Sequence, residues 1–211
     1  MPAQDPRSLA ILQFTSGSTS APKGVMLPHH TILANLDAIA ERGKLDLDND
    51  CFVSWLPLYH DMGLVGLLGL PMISGTRMVL GAPQDFTGRP SRWMEWISEH
   101  AGTVTAGPHF AWALAARSLR RSQETLDLSH LRVALNGAEP IDPTSVRELI
   151  DAGARHGLRP GAIFPAFGMA EVAIAGTFPD PMAGLRTDAV DRGVLENERY
   201  AAPAPVGGER T

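Results

Sequence analysis

The sequence predicts an α/β protein whose doubly wound, mostly parallel sheet lies between flanking helices. Short apolar runs with strand character alternate with amphipathic runs along residues 9–176. This alternation is typical of βαβ units, whose strands are parallel and whose crossovers are right-handed. The composition agrees, because a chain of 211 residues with 44% hydrophobic and 19% charged residues can bury a substantial core.

The periodicity of apolar residues predicts the elements in turn. Residues 9–14 and 25–27 are apolar runs typical of strands, and a Ser/Thr/Gly-rich loop separates them. Apolar residues then recur at helical spacing and predict a helix over residues 29–42. Further strands are predicted at residues 52–56, 77–80, 103–106, 131–135 and 162–167, and further helices at residues 64–73, 90–100, 110–119 and 142–156. After Gly176 the alternation ends, and only residues 190–200 are predicted to form a short helix.

Composition and charge exclude several classes of function. The formal net charge is −5, from 18 Lys and Arg against 23 Asp and Glu, so no nucleic-acid partner is expected. Cys51 is the single cysteine, which excludes an internal disulfide and a four-cysteine zinc site within one chain. The longest uncharged apolar stretch, residues 62–76, is interrupted by glycines and a proline and is too short for a transmembrane segment. The first residues lack the apolar region of a secretion signal, so we expect a cytoplasmic protein.

The loop over residues 15–24 carries the most specific pattern in the sequence. Its hydroxyl side chains, its backbone N–H groups beside glycine and its lysine form a donor set that binds phosphate oxygens. Pro22 precedes Lys23 and Gly24 follows it, which excludes a Walker A loop, since that pattern has glycine before the lysine and Ser or Thr after it. Because strands are predicted on both sides, the loop is too specific for an ordinary polar turn.

Three further segments follow this loop along the chain. They are residues 54–64 (SWLPLYHDMGL), residues 136–141 (NGAEPI) and residues 167–171 (FGMAE). Together with the loop they resemble the core motifs of the adenylate-forming (AMP-binding) superfamily, which includes acyl-CoA synthetases, fatty acyl-AMP ligases and peptide-synthetase adenylation domains. The wording of the motifs is most similar to that of fatty acyl-AMP ligases, and residues 190–200 resemble an insertion that those ligases carry.

The resemblance implies that a fatty acid attacks the α-phosphate of ATP, with Mg²⁺, to give an acyl-adenylate and pyrophosphate. The acyl group would then pass to an acyl carrier protein or a polyketide synthase. The phosphate-binding positions of the family match Thr15, Ser16, Gly17, Ser18, Thr19 and Lys23. The adenine-side positions match Gly137, Ala138, Glu139, Phe167, Gly168 and Met169, with Phe167 stacked on the base. The catalytic positions match His60 and Glu171, and Glu171 is the implied Mg²⁺ ligand.

Other interpretations fit the same residues. The enzyme is alternatively a fatty acyl-CoA synthetase, or a peptide-synthetase adenylation domain in which Asp61 pairs with a substrate amino group. Otherwise Asp61 is expected to be structural. Without the motif, His60 could equally be a polar histidine whose hydrogen bonds are satisfied within the fold. The structural alternative for Glu171 is a carboxylate that interacts with the dipole of a helix N-terminus. Residues 107–112 resemble a segment that lines the acyl tunnel in the family. Met62, Leu64 and Trp112 are candidates for the wall of this tunnel, and as apolar residues they are alternatively part of the ordinary core.

The resemblance also predicts the organisation of the chain. We expect an AMP-binding core at residues 1–176 and an irregular ligase-type insertion and tail at residues 177–211. No Tyr-Arg-Thr-Gly-Asp motif follows Glu171, and no small domain with a catalytic lysine is present. The chain is therefore expected to be the central part of a ligase. Taken alone, it is alternatively a non-catalytic nucleotide-binding remnant.

Overall fold

The structure, a computed structural model, describes residues 5–15 and 23–204. An antiparallel hairpin of β1 (Leu9–Thr15) and β2 (Lys23–Pro28) leads into α1 (His29–Arg42). The elements that follow are β3 (Cys51–Ser54), a π-helical segment (Met62–Gly69), α2 (Leu70–Ser74), β4 (Arg77–Leu80), α3 (Pro83–Gly88), α4 (Ser91–Glu99), β5 (Val104–Pro108), α5 (His109–Arg121), β6 (Val133–Gly137), α6 (Pro143–Ala154), β7 (Ile163–Pro165), β8 (Phe167–Gly168), β9 (Ala175–Thr177) and α7 (Arg192–Glu198). No helix within the described ranges is long and apolar enough to cross a bilayer.

A five-stranded parallel sheet with the order β4-β3-β5-β6-β7 forms the centre of the molecule. Val53 of β3 pairs with Val79 of β4 on one side and with Thr105 of β5 on the other. The chain therefore builds outward from β3 to β4 and then returns across β3 to add β5. Right-handed crossovers in opposite directions put their helices on opposite faces of the sheet, and a crevice opens at the carboxyl ends of β3 and β5.

The helices α4, α5 and α6 cover one face of the sheet over an aromatic core. Trp55 stacks on Phe86 with ring centroids 3.8 Å apart, and Trp93 packs against Trp112 at 4.3 Å. The indole N–H of Trp93 donates to Thr105 Oγ1 over 2.8 Å, so this buried ring keeps a hydrogen-bond partner. Apolar side chains therefore fill the space between these helices and this face of the sheet.

The opposite face carries α1 and the π-helical segment that continues into α2. The Asp61 carboxylate accepts the N–H of Met62 at 2.7 Å and caps the segment. Gly63 is required here, because a Cβ at this position would collide with the Pro57 carbonyl oxygen. π-Helical turns are rare and occur frequently at functional sites.

A buried ion pair holds the amino edge of the sheet. Asp50, which is 2% exposed, accepts from Arg132 Nε at 2.8 Å and from a second guanidinium nitrogen. It also accepts from Thr103 Oγ1 at 2.7 Å and from the Asp46 N–H at 2.8 Å. Arg132 donates in addition to the Gly43 carbonyl at 3.3 Å. The network thus ties the loop after α1 to the starts of β5 and β6.

The structure confirms the α/β class and most of the predicted elements, with three differences. The predicted helix at residues 64–73 is a π-helical segment followed by the short α2. The helix α3 was not predicted, because its six residues carry too little periodicity to detect. The predicted strand at residues 162–167 ends at Pro165, which has no N–H to donate, and Phe167 joins a separate hairpin with β9.

Replacing Asp50 with alanine would leave the largely buried Arg132 guanidinium without its partner. We expect Asp50→Ala to lower the free energy of unfolding by about 3–5 kcal/mol, measured by urea denaturation followed by circular dichroism. As a control, Glu148→Ala breaks the exposed pair of Arg120 and Glu148, whose atoms are 3.4 Å apart, and should cost less than about 1 kcal/mol. Equal losses in the two variants would contradict the role assigned to Asp50.

Candidate functional site

An apolar cavity of about 280 Å³ lies between the π-helical segment and the sheet. Its sheet wall contains Phe52, Val104, Ala106, Val133, Leu135 and Phe164, and its opposite wall contains Ile39, Leu45, Met62, Gly66, Leu67 and Leu70. Val133 and Gly137 both line it, so it extends over about 13 Å of β6 at ~3.3 Å per residue. An elongated apolar space of this kind fits an apolar ligand.

Several predicted site residues lie together at the end of this cavity that is nearest to the carboxyl ends of the strands. His60, Gly137, Ala138, Phe167 and Gly168 all line it, although they come from three separate motifs. Asp61 lines it as well. The topology explains the meeting, because the carboxyl ends of β3 and β6 and the start of β8 face the same crevice.

His60 and Asp61 form a close pair at this end of the cavity. The Nδ1 atom of His60 lies 2.7 Å from Asp61 Oδ1. This hydrogen bond raises the pKa of His60 above its ordinary value, although burial acts in the opposite direction. For Asp61, burial acts to raise the pKa, but the His60 hydrogen bond and charge and the Met62 N–H outweigh it, so the pKa of Asp61 is lowered.

Asp61 lies at the site although it is not among the site residues that the sequence predicted. It was expected to be structural, and it does cap the π-helical segment. The same carboxylate also fixes the His60 ring and favours its charged form. The pairing was not predicted, and the signal that could have indicated it is the adjacency of His60 and Asp61 at the start of an apolar helical run.

The hairpin of β8 and β9 presents Phe167 at the site. Phe167 is 59% exposed, so its ring is accessible to a planar ligand. Gly168 pairs with Ala175 and cannot carry a side chain, because a Cβ would collide with the Ile174 carbonyl oxygen. The Met169 N–H donates to this same carbonyl oxygen over 3.0 Å. The predicted adenine-side role of Met169 stays a prediction.

The turn Ala170–Val172 places Glu171 beside the strand that carries Lys23. This turn packs against β2, and Glu171 is exposed, with no ion-pair partner within residues 5–15 and 23–204. Among those residues no cluster of three metal-ligating side chains occurs. A lone exposed carboxylate nevertheless fits Mg²⁺, which commonly takes one or two protein carboxylates and completes its shell with substrate phosphates and water.

The ends of the predicted phosphate loop are held together by the first hairpin. Thr15 and Lys23 are partners across β1 and β2. Gln13 of β1 donates from Nε2 to the Tyr59 carbonyl at 3.3 Å, which links this hairpin to the segment before His60. The predicted ligands Ser16, Gly17, Ser18 and Thr19 lie outside the described residues.

The remaining predicted residues divide between the site and the scaffold. Glu139 accepts the Phe110 N–H at 3.1 Å and so caps α5, while its nucleotide role stays a prediction. Of the candidates for the tunnel wall, Met62 lines the cavity. Trp112 lies instead in the aromatic core on the other face, where its indole N–H donates to the Leu135 carbonyl at 3.0 Å. Leu64 is absent from the lining of the cavity.

Comparison with known proteins identifies the family. The family model described as AMP-binding enzyme matches residues 1–199. The chain belongs to the AMP-binding enzyme family. It is 47% identical over 204 residues to a putative ligase of Mycobacterium tuberculosis, an alignment that covers 96% of this chain and 38% of that protein. It is also 38% identical to a probable long-chain-fatty-acid–AMP ligase of the same organism, over 77% of this chain and 29% of that one.

Solved structures of AMP-binding enzymes confirm the fold. The crystal structure of a fatty acyl-adenylate ligase from L. pneumophila, in complex with acyl adenylate and pyrophosphate, superposes with a TM-score of 0.93. The two are 30% identical, and the match covers 100% of this chain and 37% of that chain. The chain thus spans well under half the length of the AMP-binding proteins that it matches.

The shifted pKa values of His60 and Asp61 predict how the stability of the fold depends on pH. Since the pKa of His60 is raised from 6.5, its share of the stability is complete below that value and disappears as the pH rises through the folded-state pKa. Since the pKa of Asp61 is lowered from 3.8, its share is present above that value and disappears as the pH falls through the folded-state pKa. The pair therefore stabilises the fold mainly between these two folded-state pKa values.

Asp61→Asn removes the charge that holds the proton on His60. We expect the pKa of His60 to fall in this variant, because burial then acts without the opposing carboxylate, and NMR titration of the His60 ring resonances measures the change. Asp127→Asn, at an exposed carboxylate near His130, should leave the pKa of His60 unchanged. A His60 pKa that does not respond to Asp61→Asn would show that the pair does not control it.

Proposed function

We propose that the protein activates a fatty acid with ATP, forming an acyl-adenylate and releasing pyrophosphate. The observation that carries this proposal is the apolar cavity whose polar end is formed by His60, Gly137, Ala138, Phe167 and Gly168. A cavity without charged groups in its depth suits the hydrocarbon chain, and the polar end suits the carboxylate and the nucleotide. The similarity to fatty acyl-adenylate ligase structures supports the same substrate class.

In this proposal His60 would lower the repulsion between two anions. The fatty carboxylate oxygen must approach the α-phosphorus, and the pyrophosphate leaves as the new bond forms. Because Asp61 holds the Nδ1 side of the His60 ring, the Nε2 atom is the one left for a ligand. A protonated ring lowers the repulsion between carboxylate and phosphate and stabilises negative charge in the transition state.

The phosphates would lie between the first hairpin and the Glu171 turn. Lys23 supplies positive charge from the start of β2, and Thr15 supplies a hydroxyl from the end of β1. When bound, Mg²⁺ would neutralise charge on the phosphates, and Glu171 is the residue that would hold it. Phe167 would stack on the adenine ring from its exposed side.

The acceptor that we favour is the thiol of a carrier protein. Matched relatives include a probable long-chain-fatty-acid–AMP ligase, and also a putative acyl-CoA synthetase of Caulobacter vibrioides that is 36% identical over 211 residues. An aminoacyl substrate is disfavoured, because the Asp61 carboxylate is already engaged by His60 and by the Met62 N–H. The preference for a carrier protein over CoA as the acceptor is tested by comparing the rates of acyl transfer to CoA and to a phosphopantetheinyl carrier protein. Faster transfer to CoA would overturn it.

Adenylation itself is tested by pyrophosphate exchange into ATP with the full natural polypeptide. We expect exchange that depends on a long-chain fatty acid and not on phenylalanine. Glu171→Ala should lower the Mg²⁺-dependent rate by about a hundredfold or more, because a group that holds the charge-neutralising ion is lost. Glu99→Ala, at an exposed carboxylate far along α4, serves as the matched control. Full activity of Glu171→Ala would overturn the metal assignment.

Gly66 offers a test of where the hydrocarbon chain lies. It lines the cavity, and a Cβ there would approach the Ile174 Cδ1 atom to 3.0 Å. A valine at this position would therefore fill part of the space. We expect Gly66→Val to shift the preference toward shorter fatty acids, by about fourfold in kcat/KM for each methylene that is no longer buried.

The control for this variant is Gly88→Ala, since a Cβ at Gly88 would meet no atom within 4 Å. Measurement of kcat/KM over a series of saturated fatty acids compares the two. An unchanged chain-length profile in Gly66→Val would place the hydrocarbon chain outside this cavity.

A further inference from the structure

The turn that carries Glu171 has a strained backbone. Ala173, directly after this turn, has φ +75° and ψ −53° and is fully buried. A residue with a Cβ rarely adopts this conformation, which persists only where surrounding contacts impose it. Hydrogen bonds within the turn, from the Ala173 N–H to the Ala170 carbonyl at 3.0 Å and from the Met169 N–H to the Ile174 carbonyl at 3.0 Å, are too local to fix its position in the molecule.

Besides the packing of the turn against β2, a side chain of α1 attaches the strand that follows the turn. Asn35, half-buried on α1, donates from Nδ2 to the Ala175 carbonyl at 2.9 Å. Its Oδ1 atom accepts the Ala175 N–H at 3.1 Å. These are the two hydrogen bonds that a residue of a neighbouring antiparallel strand would exchange with Ala175. The side-chain amide of Asn35 therefore makes the hydrogen bonds that the backbone of a neighbouring strand would make, and it connects β9 to α1.

We propose that Asn35 is a positioning residue for the nucleotide and its metal ion. It holds the hairpin of β8 and β9 by the second strand, and that hairpin carries Phe167 at the start of β8 and Glu171 in the strained turn between the strands. The residues between Glu171 and Ala175 are few, so movement of β9 displaces the carboxylate. This inference rests on the proposed function for its kinetic consequence, but not for its structural one.

Asparagine is suited to this task by its chemistry. Its planar amide presents one donor and one acceptor at the spacing of a peptide group, which aspartate and leucine do not. An asparagine in the middle of a helix is otherwise mildly unfavourable. Its neighbours on the inner face of α1, Ile32 and Leu36, are apolar and buried. If position 35 served only to pack α1 against the protein, an apolar side chain would suit it equally well.

The test compares Asn35→Leu with Thr31→Val in the full natural polypeptide. Leucine has a similar volume and removes both hydrogen bonds. Thr31 lies one turn earlier on the same helix, and among residues 5–15 and 23–204 its side chain bonds only to the ring of its neighbour His30, at 3.4 Å. We expect the Mg²⁺ concentration that gives half-maximal adenylation, at constant ionic strength, to rise about tenfold in Asn35→Leu, as for the loss of two hydrogen bonds. Saturating Mg²⁺ should restore kcat, and Thr31→Val should resemble the unaltered protein.

A loss of stability alone would lower kcat equally at all Mg²⁺ concentrations, and that result would overturn the proposal. Amide hydrogen exchange, measured without substrates, gives a second and independent outcome. Asn35→Leu should accelerate exchange at Ala175 and Met169 and leave the strands of the central sheet unaffected. Unaltered exchange at these two amides would overturn the proposal even if the kinetics changed. If the unaltered protein forms no acyl-adenylate, the proposed function fails, and exchange alone decides whether Asn35 holds the turn.

Discussion

After β4 the chain returns across β3 and adds β5 on its other side, and the arrangement of the site depends on this reversal. Right-handed crossovers in opposite directions place α4 and α5 on one face of the sheet and the π-helical segment on the other. The loops that leave β3 and β5 then diverge, and a crevice forms between them. Motifs that are far apart along the chain meet there because each follows the carboxyl end of a strand, as His60 follows β3 and Gly137 ends β6.

The two faces of the sheet are filled differently, and this difference creates the cavity. On one face Trp93 and Trp112 fill the space under α4 and α5, and both indole N–H groups have partners. On the other face the π-helical segment is rich in glycine, so little side-chain volume reaches the sheet from Gly66. Close packing is the norm in protein interiors, so an apolar space of about 280 Å³ is a feature to be explained by a ligand.

The sequence was informative wherever a residue type is required by local chemistry. Alternating apolar runs predicted the parallel sheet, and α1 has the bounds that its periodicity indicated. The motif residues His60 and Phe167 were predicted to serve one site, and they line one cavity. What was missed depends on contacts across the fold. No pattern near Asn35 reveals that its amide meets Ala175, which lies 140 residues later. The apolar composition of residues 64–73 predicted a helix but could not show that its first part is π-helical, because apolar composition is common to both kinds of helix.

The amino edge and the carboxyl edge of the central sheet are held by different kinds of contact. At the amino edge the ion pair of Asp50 and Arg132 fixes the loop after α1, and Gly43 and Leu45 of that loop close the far end of the cavity. The side chains that line that end are apolar, so under the proposed function a fixed wall there would limit the length of the fatty acid. At the carboxyl edge the parts that would meet phosphate and adenine are short turns held by a few hydrogen bonds, such as those from Gln13 to Tyr59 and between Asn35 and Ala175. Under the proposed function, charge is redistributed at this edge as pyrophosphate leaves, while the hydrocarbon chain would stay in place, so adjustable parts would be needed at this edge.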